Sequence, residues 1–156
     1  MAEDGGQKNQ QGKEGSMADQ IRSFRELRVY AAATALQQTI FRTSKAWPAE
    51  EKFSLIDQVR RSSRAIGANI AESWAKRRYP AHFISKLTNA DGELQETSHW
   101  LWTAFACDYI SKSEYFRFEA DLEDIGKKLG KMMSMPEKFM KPDIRDHREE
   151  TIYPKA

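Results

Sequence analysis

The chain has 156 residues, of which 40% are hydrophobic and 31% are charged, so a single domain can bury a core without disulfides. Its net charge is +2 and its only cysteine is Cys107, which excludes an intrachain disulfide framework and a cysteine-based zinc site. No apolar run approaches the roughly 20 residues that span a bilayer, and the polar N-terminus has no secretory signal, so we expect a cytoplasmic protein without membrane contact.

Both ends of the chain are polar. Residues 1–19 are rich in Gly, Gln, Lys and Glu without apolar periodicity, which predicts a disordered N-terminal tail. Residues 136–156 contain three prolines in a stretch that cannot continue a helix, which predicts a polar C-terminal tail. The tails carry net charges of −2 and zero, which leaves +4 on residues 20–135. The predicted folded domain is therefore mildly basic, which permits an anionic partner without requiring one.

The first helical pattern covers about residues 21–44. It has two apolar stripes, one containing Val29 and Ile40 and the other containing Leu27 and Phe41. One stripe suffices for packing in a bundle, and monomers seldom expose long apolar patches. The additional stripe therefore favours a subunit interface.

Three further helical patterns follow. The second begins at about Pro48, which suits a first helical turn, and its stripe repeats from Phe53 to Trp74 before the pattern ends near residue 76. The third covers about residues 80–108. Ser111 and Glu114 predict a capping box for the fourth helix. Its apolar seam has heptad-like spacing and consists of Tyr115, Phe118, Leu122, Ile125, Leu129 and Met132.

Four helices joined by short loops, without strand alternation, predict an all-α fold. We expect residues 20–135 to form a single antiparallel up-down four-helix bundle.

No motif in the sequence matches a known catalytic, metal or cofactor site. Glu96 and His99 form one Glu-x-x-His pair, whereas a di-iron bundle requires two. No glycine-rich phosphate loop, nucleophile elbow or His-Glu-x-x-His pattern occurs. We therefore predict a protein that is not an enzyme and has no cofactor. An unrecognised arrangement of catalytic residues is the distant alternative.

Three segments carry motifs of one known family: residues 24–30 on the first helix, 58–72 on the second and 90–96 on the third. They resemble the bacterial four-helix bundle proteins encoded in intervening sequences of 23S ribosomal RNA genes. The resemblance spans about residues 21–135, although Ser73 stands where the family usually has glycine. The accessory variability determinant of diversity-generating retroelements is similar in fold.

This resemblance implies a cytoplasmic homo-oligomer, expected to be a pentameric ring. It also implies that a basic surface of the ring meets RNA or DNA. The retroelement relatives bind a reverse transcriptase, which makes that enzyme or another protein a further expected partner.

Basic residues lie off the apolar stripe of the second helix. On an ideal helix Arg60 and Arg64 are about 40° apart and Arg61 lies about 100° from Arg60, so the three can form one positive ridge. Further basic residues extend the charge past the helix end at Lys76, Arg77 and Arg78. The ridge predicts salt-dependent, sequence-indifferent binding of nucleic-acid phosphates. The alternative is a protein-interaction scaffold in which these arginines pair with carboxylates.

Three polar residues lie beside apolar stripes: Asn69, Glu72 and Glu96. If they are buried they need hydrogen-bond partners, and Arg61 or Arg64 could supply them. We interpret the three as a structural polar network that sets the register of neighbouring helices. Paired carboxylates for acid–base chemistry are the alternative.

Overall fold

Four α-helices occupy most of residues 21–141, the part of the chain that the computed structural model describes. They are α1 (Arg28–Ser44), α2 (Leu55–Ala75), α3 (Pro80–Ala106) and α4 (Lys112–Ser134). Short 3-10 turns lie at Phe24–Glu26, Ala49–Glu51 and Pro136–Lys138. Residues 21–141 contain no strand. The predicted all-α fold is confirmed, whereas the predicted N-terminal tail and most of the C-terminal tail lie outside the described residues.

Two ion pairs show that α2 and α3 are antiparallel. Arg61 on α2 contacts Glu96 on α3, whereas Glu72, further along α2, contacts Lys86, which is earlier in α3. Each helix packs on two neighbours, and the contact between α4 and α1 closes the four-helix bundle. In this up-down arrangement the seam between α1 and α2 lies opposite the seam between α3 and α4.

The core is built from one apolar stripe of each helix. In α4 the predicted seam is buried at Phe118, Leu122, Ile125, Leu129 and Met132. In α1 the stripe that contains Val29 and Ile40 faces the core. Of the other α1 stripe, Leu27 is also buried in the core, whereas Ala31 is exposed and Phe41 is half-buried. The Phe41 side chain is therefore partly exposed at the surface where α1 meets α2.

Helices α2 and α3 make the most extensive contact in the bundle. The small residue Ser62 of α2 is buried and faces α3, whereas Gly67 lies against Tyr30 of α1. The Thr97 hydroxyl on α3 donates to Ser62 Oγ at 2.9 Å, and both residues are fully buried. This hydrogen bond joins the two helices inside the core.

Two helices begin later than the sequence predicts. Helix α1 begins at Arg28 instead of near residue 21, because Ser23 caps the preceding 3-10 turn and Leu27 adopts an extended conformation. Helix α2 begins at Leu55 instead of near Pro48. The Glu51 carboxylate accepts the Ser54 hydroxyl at 2.7 Å and the Leu55 N–H at 3.1 Å, which stabilises the later start.

The later start of α2 moves one residue out of the predicted core. The sequence pattern places Phe53 on the apolar stripe, but Phe53 precedes the helix and is 86% exposed. Helix α3 begins at Pro80 as predicted and ends at Ala106, two residues before the positive φ of Asp108. The predicted capping box of α4 is confirmed, since Ser111 Oγ accepts the Glu114 N–H at 3.1 Å and the Glu114 carboxylate accepts the Ser111 N–H at 2.8 Å.

The chain continues to pack on the bundle after α4. Phe139 is buried and stacks on Phe83 of α3 with a centroid distance of 5.9 Å. No helix in residues 21–141 is both long and apolar enough to cross a membrane.

Candidate nucleic-acid interface

Three cations surround one aromatic ring where α1 meets α2. Lys45 Nζ lies 4.6 Å from the centroid of the Phe41 ring, and the guanidinium carbons of Arg60 and Arg64 lie 4.8 Å and 5.6 Å from it. Cations within about 6 Å of a ring are attracted by its quadrupole, which holds them over the aromatic face. We refer to Phe41, Lys45, Arg60 and Arg64 as the cationic patch.

Helical spacing and antiparallel packing bring the patch together. Phe41 and Lys45 are one turn apart near the end of α1, and Arg60 and Arg64 are one turn apart in the first half of α2. Arg60 is half-buried, and its Nε donates to Ser44 Oγ at 2.8 Å. Lys45 and Arg64 are exposed to solvent. Arg60 therefore anchors the patch, and the other two cations face outward.

Within residues 21–141 no ion pair balances the positive charge of the patch, and Asp57, one turn before Arg60 on α2, forms none with it. Helix α1 contains no acidic residue. The ion pairs within residues 21–141 involve none of Lys45, Arg60 and Arg64. Three uncompensated cations on one seam favour contact with an anion.

Arg61 has a different environment from its two neighbours. The rotation of about 100° per residue turns it towards α3. There its Nη2 lies 2.5 Å from Glu96 Oε1 and its Nη1 lies 3.4 Å from Glu93 Oε2. The hydrogen bond from Arg61 holds the pKa of Glu96 below its ordinary value. Among the described residues, the predicted ridge is therefore divided into two arginines that face α1 without an ion pair and one ion-paired arginine that faces α3.

The basic residues at the end of α2 form a separate group. The guanidinium of Arg77 lies 3.5 Å from the centroid of a Trp74 ring, and its Nε donates to the Trp74 carbonyl at 3.0 Å. Burial lowers the pKa of Arg77. Lys76 and Arg78 are exposed beside it. At 1.5 Å per residue this group lies roughly 20 Å along the helix from Arg64, so it does not extend the cationic patch directly.

The three residues of the predicted polar network do not contact one another. Asn69 Nδ2 donates to the Ala65 carbonyl of its own helix at 2.9 Å. Glu72 is exposed and pairs with Lys86 at 2.7 Å, and this hydrogen bond lowers the pKa of Glu72. Glu96 belongs to the Arg61 pair described above. Two of the three thus link α2 to α3 through separate ion pairs, and Asn69 makes only a local contact.

Sequence reasoning missed two members of the cationic patch. The sequence pattern places Phe41 on an apolar stripe and predicts no site at Lys45, although their spacing of four places them on one helix face. The predicted ridge also included Arg61, whereas the alternative interpretation paired these arginines with carboxylates such as Glu96; the structure shows the Arg61–Glu96 pair. No group of three or more His, Cys, Asp or Glu side chains that could hold a metal occurs in residues 21–141.

A protein family and a solved structure match most of the bundle. The family model described as 23S rRNA-intervening sequence protein matches residues 25–131. A solved protein of unknown function from Bacteroides thetaiotaomicron, described as a member of the S23 ribosomal protein family, is 30% identical with a TM-score of 0.61. The match covers 68% of this chain and 95% of that protein. None of the curated proteins compared with the chain matches it.

Proposed function

The chain belongs to the family of 23S rRNA-intervening sequence proteins, and we propose that it is a non-enzymatic accessory protein that binds nucleic-acid phosphates through the cationic patch. Family membership does not supply this function, since the similar solved protein is itself of unknown function. The observation that carries the proposal is the unbalanced charge of Lys45, Arg60 and Arg64 around Phe41.

The chemistry of the patch suits phosphate groups. Guanidinium groups donate two parallel hydrogen bonds to phosphate oxygens, and the ammonium group of Lys45 adds a mobile point charge. Arg60 is already fixed by Ser44 and Phe41, so less side-chain entropy is lost when it binds. Contacts of this kind position a nucleic acid without reading its sequence. Phosphate groups occur in both RNA and DNA, so both nucleic acids are tested.

The assembly and location are part of the same proposal. A cytoplasmic homo-oligomer, expected to be a pentamer, would present several patches to one nucleic acid. Repeated weak contacts of this kind raise overall affinity without new interactions in any single patch.

Direct titration tests the proposal. Fluorescently labelled RNA and DNA of about 20 nucleotides, single- and double-stranded, would be titrated with the protein at about 50 mM salt, where phosphate contacts are strong. The double variant Lys45→Glu/Arg64→Glu should bind at least about tenfold more weakly, because like charges then face the phosphates. Binding of none of the four nucleic acids at this salt would overturn the proposal.

A matched variant controls for net charge. Lys131→Glu/Lys138→Glu makes the same change in net charge at exposed positions on and just after α4, away from the patch. It should retain most of the wild-type affinity. Equal losses in the two double variants would mean that overall charge, and not the patch, determines binding.

A protein-interaction scaffold is the second candidate function. It is supported by Trp102 and Phe116, whose side chains are exposed by 52% and 58%. Exposed aromatic residues are enriched at protein interfaces. Docking through such rings should depend little on salt, which separates this function from phosphate binding.

A further inference from the structure

A second positive surface lies at the connection between α2 and α3. We refer to residues 76–82 as the α2–α3 corner. It contains no carboxylate and three cations, which are Lys76, Arg77 and Arg78. None of the ion pairs within residues 21–141 involves these cations. The last carboxylate of α2, that of Glu72, pairs with Lys86 of α3, so the corner keeps its positive charge.

Hydrogen bonds fix the backbone of the corner. The Tyr79 N–H donates to the Lys76 carbonyl at 3.2 Å, which closes a tight turn after α2. Because Pro80 follows it, Tyr79 adopts an extended conformation with φ −122° and ψ 117°. The Tyr79 carbonyl then accepts the Phe83 N–H at 3.1 Å, where the hydrogen bonding of α3 begins. The backbone therefore sets the position of Tyr79 relative to both helices.

The Tyr79 side chain is exposed next to these cations. Its exposed fraction is 50%, and it makes no capping hydrogen bond at the start of α3. Its ring contacts that of His82, with the two centroids 5.3 Å apart and the two planes at 61°. Because one neighbour already braces the ring, little side-chain entropy is lost when a ligand packs on it.

An exposed aromatic ring beside cations suits a single-stranded nucleic acid. A base of a single strand can stack on the ring while the adjacent phosphates contact lysine and arginine side chains. In a duplex the faces of the bases are covered by their neighbours, so a protein contacts mainly the backbone and the groove edges. In the cationic patch, by contrast, the ring of Phe41 already holds three cations. The corner therefore has a feature for recognising unpaired bases that the patch lacks.

We propose that the α2–α3 corner binds single-stranded RNA or DNA, with one base stacked on Tyr79 and the flanking phosphates on Lys76 and Arg78. Arg77 is held against Trp74, so we assign it to the structure of the corner and not to the ligand. The corner lies roughly 20 Å along α2 from the cationic patch, so one strand of several nucleotides can contact both. Phosphate contacts at the corner would add to the salt dependence that the patch itself produces.

One strand, free and paired, tests the proposal. The ligands are a labelled RNA of about 20 nucleotides without self-complementarity and the same RNA annealed to its complement, both at about 50 mM salt. Tyr79→Ala should weaken binding of the single strand at least about fivefold, because the stacking of one base is lost. Its binding of the duplex should stay within about twofold of the wild-type value, since a duplex offers no base to stack.

Two further variants separate the ring from the hydroxyl group and from the charges. Tyr79→Phe keeps the ring and should bind the single strand like the wild type. Neither Tyr79 variant removes a helix cap or a buried side chain, so circular dichroism should show wild-type helicity for both. Lys76→Gln/Arg78→Gln should reduce the salt slope on the single strand by about 1.4, which is about 0.7 for each of two phosphate contacts.

Four results would overturn the proposal. They are wild-type affinity of Tyr79→Ala for the single strand, equal losses on the single strand and the duplex, equal losses in Tyr79→Ala and Tyr79→Phe, and an unchanged salt slope in the lysine–arginine variant. The first of these would leave an acidic protein as the partner to test at this corner.

This inference rests on the proposed function in requiring that the protein bind nucleic acid, but the two can fail separately. If the patch variant Lys45→Glu/Arg64→Glu loses binding and Tyr79→Ala does not, the proposed function stands and this inference fails. If Tyr79→Ala loses single-strand binding while the patch variant keeps wild-type affinity, the corner binds nucleic acid and the patch does not.

Discussion

The salt dependence of nucleic-acid binding can be worked out from the number of free cations in the patch. If Lys45, Arg60 and Arg64 each neutralise one phosphate, log K should fall with log salt with a slope of about −2.1 per chain on a single strand. Raising the salt from about 50 to about 200 mM should then weaken binding roughly 18-fold. The slope reports phosphate contacts directly, since each contact releases condensed counterions.

Two arginines one turn apart on α2, Arg61 and Arg64, provide a matched pair of variants. Arg64→Gln removes one free cation and should reduce the slope by about 0.7, to about −1.4. Arg61→Gln removes the same charge one turn away, but Arg61 is already paired with Glu96 and Glu93. Its slope should remain close to the wild-type value.

Anisotropy titrations of labelled single-stranded RNA at four or more salt concentrations would measure both slopes. An equal reduction in Arg61→Gln and Arg64→Gln would refute the reasoning, because ion pairing on α3 would then have no effect on phosphate contact. A wild-type slope near zero would exclude phosphate binding by the patch altogether.

Three further predictions concern the stability of the bundle. Because Arg61 lowers the pKa of Glu96, their pair stabilises the fold above the unfolded carboxyl pKa of about 4.3, and this contribution is lost as the pH falls through the lower folded pKa. Glu96→Gln should therefore reduce the unfolding free energy in urea by about 0.5 kcal/mol at neutral pH and by less near pH 3; an equal loss at both pH values would contradict this. Thr97→Val should cost about 1–2 kcal/mol by leaving the buried Ser62 hydroxyl without its donor, and adding Ser62→Ala should cost less than the sum of the single changes; strict additivity would exclude the hydrogen bond. Phe53→Ser should change the unfolding free energy by less than about 0.5 kcal/mol, and a larger loss would show that another surface covers this ring in solution.

Local features of the fold could be predicted from the sequence. The seam of α4 and its capping box depend on residues three and four positions apart, so they can be recognised before any tertiary contact is known. The start of α2 could not be predicted in this way. Pro48 suits a first turn, but hydrogen bonds from Ser54 and Leu55 to the Glu51 carboxylate favour a later start.

For the candidate site, too, some features could be predicted from the sequence and others could not. The sequence by itself determined that basic residues cluster on α2 and that α1 carries two apolar stripes, since both follow from helical spacing. Only the tertiary structure decided which of these arginines is free. Glu93 and Glu96 come from α3 and neutralise Arg61, whereas Phe41 and Lys45 come from α1 and bring no carboxylate to Arg60 and Arg64. The physical reason is that the charge of a side chain can be balanced by any residue within a few ångströms, and residues more than 30 positions apart become neighbours only when the helices pack.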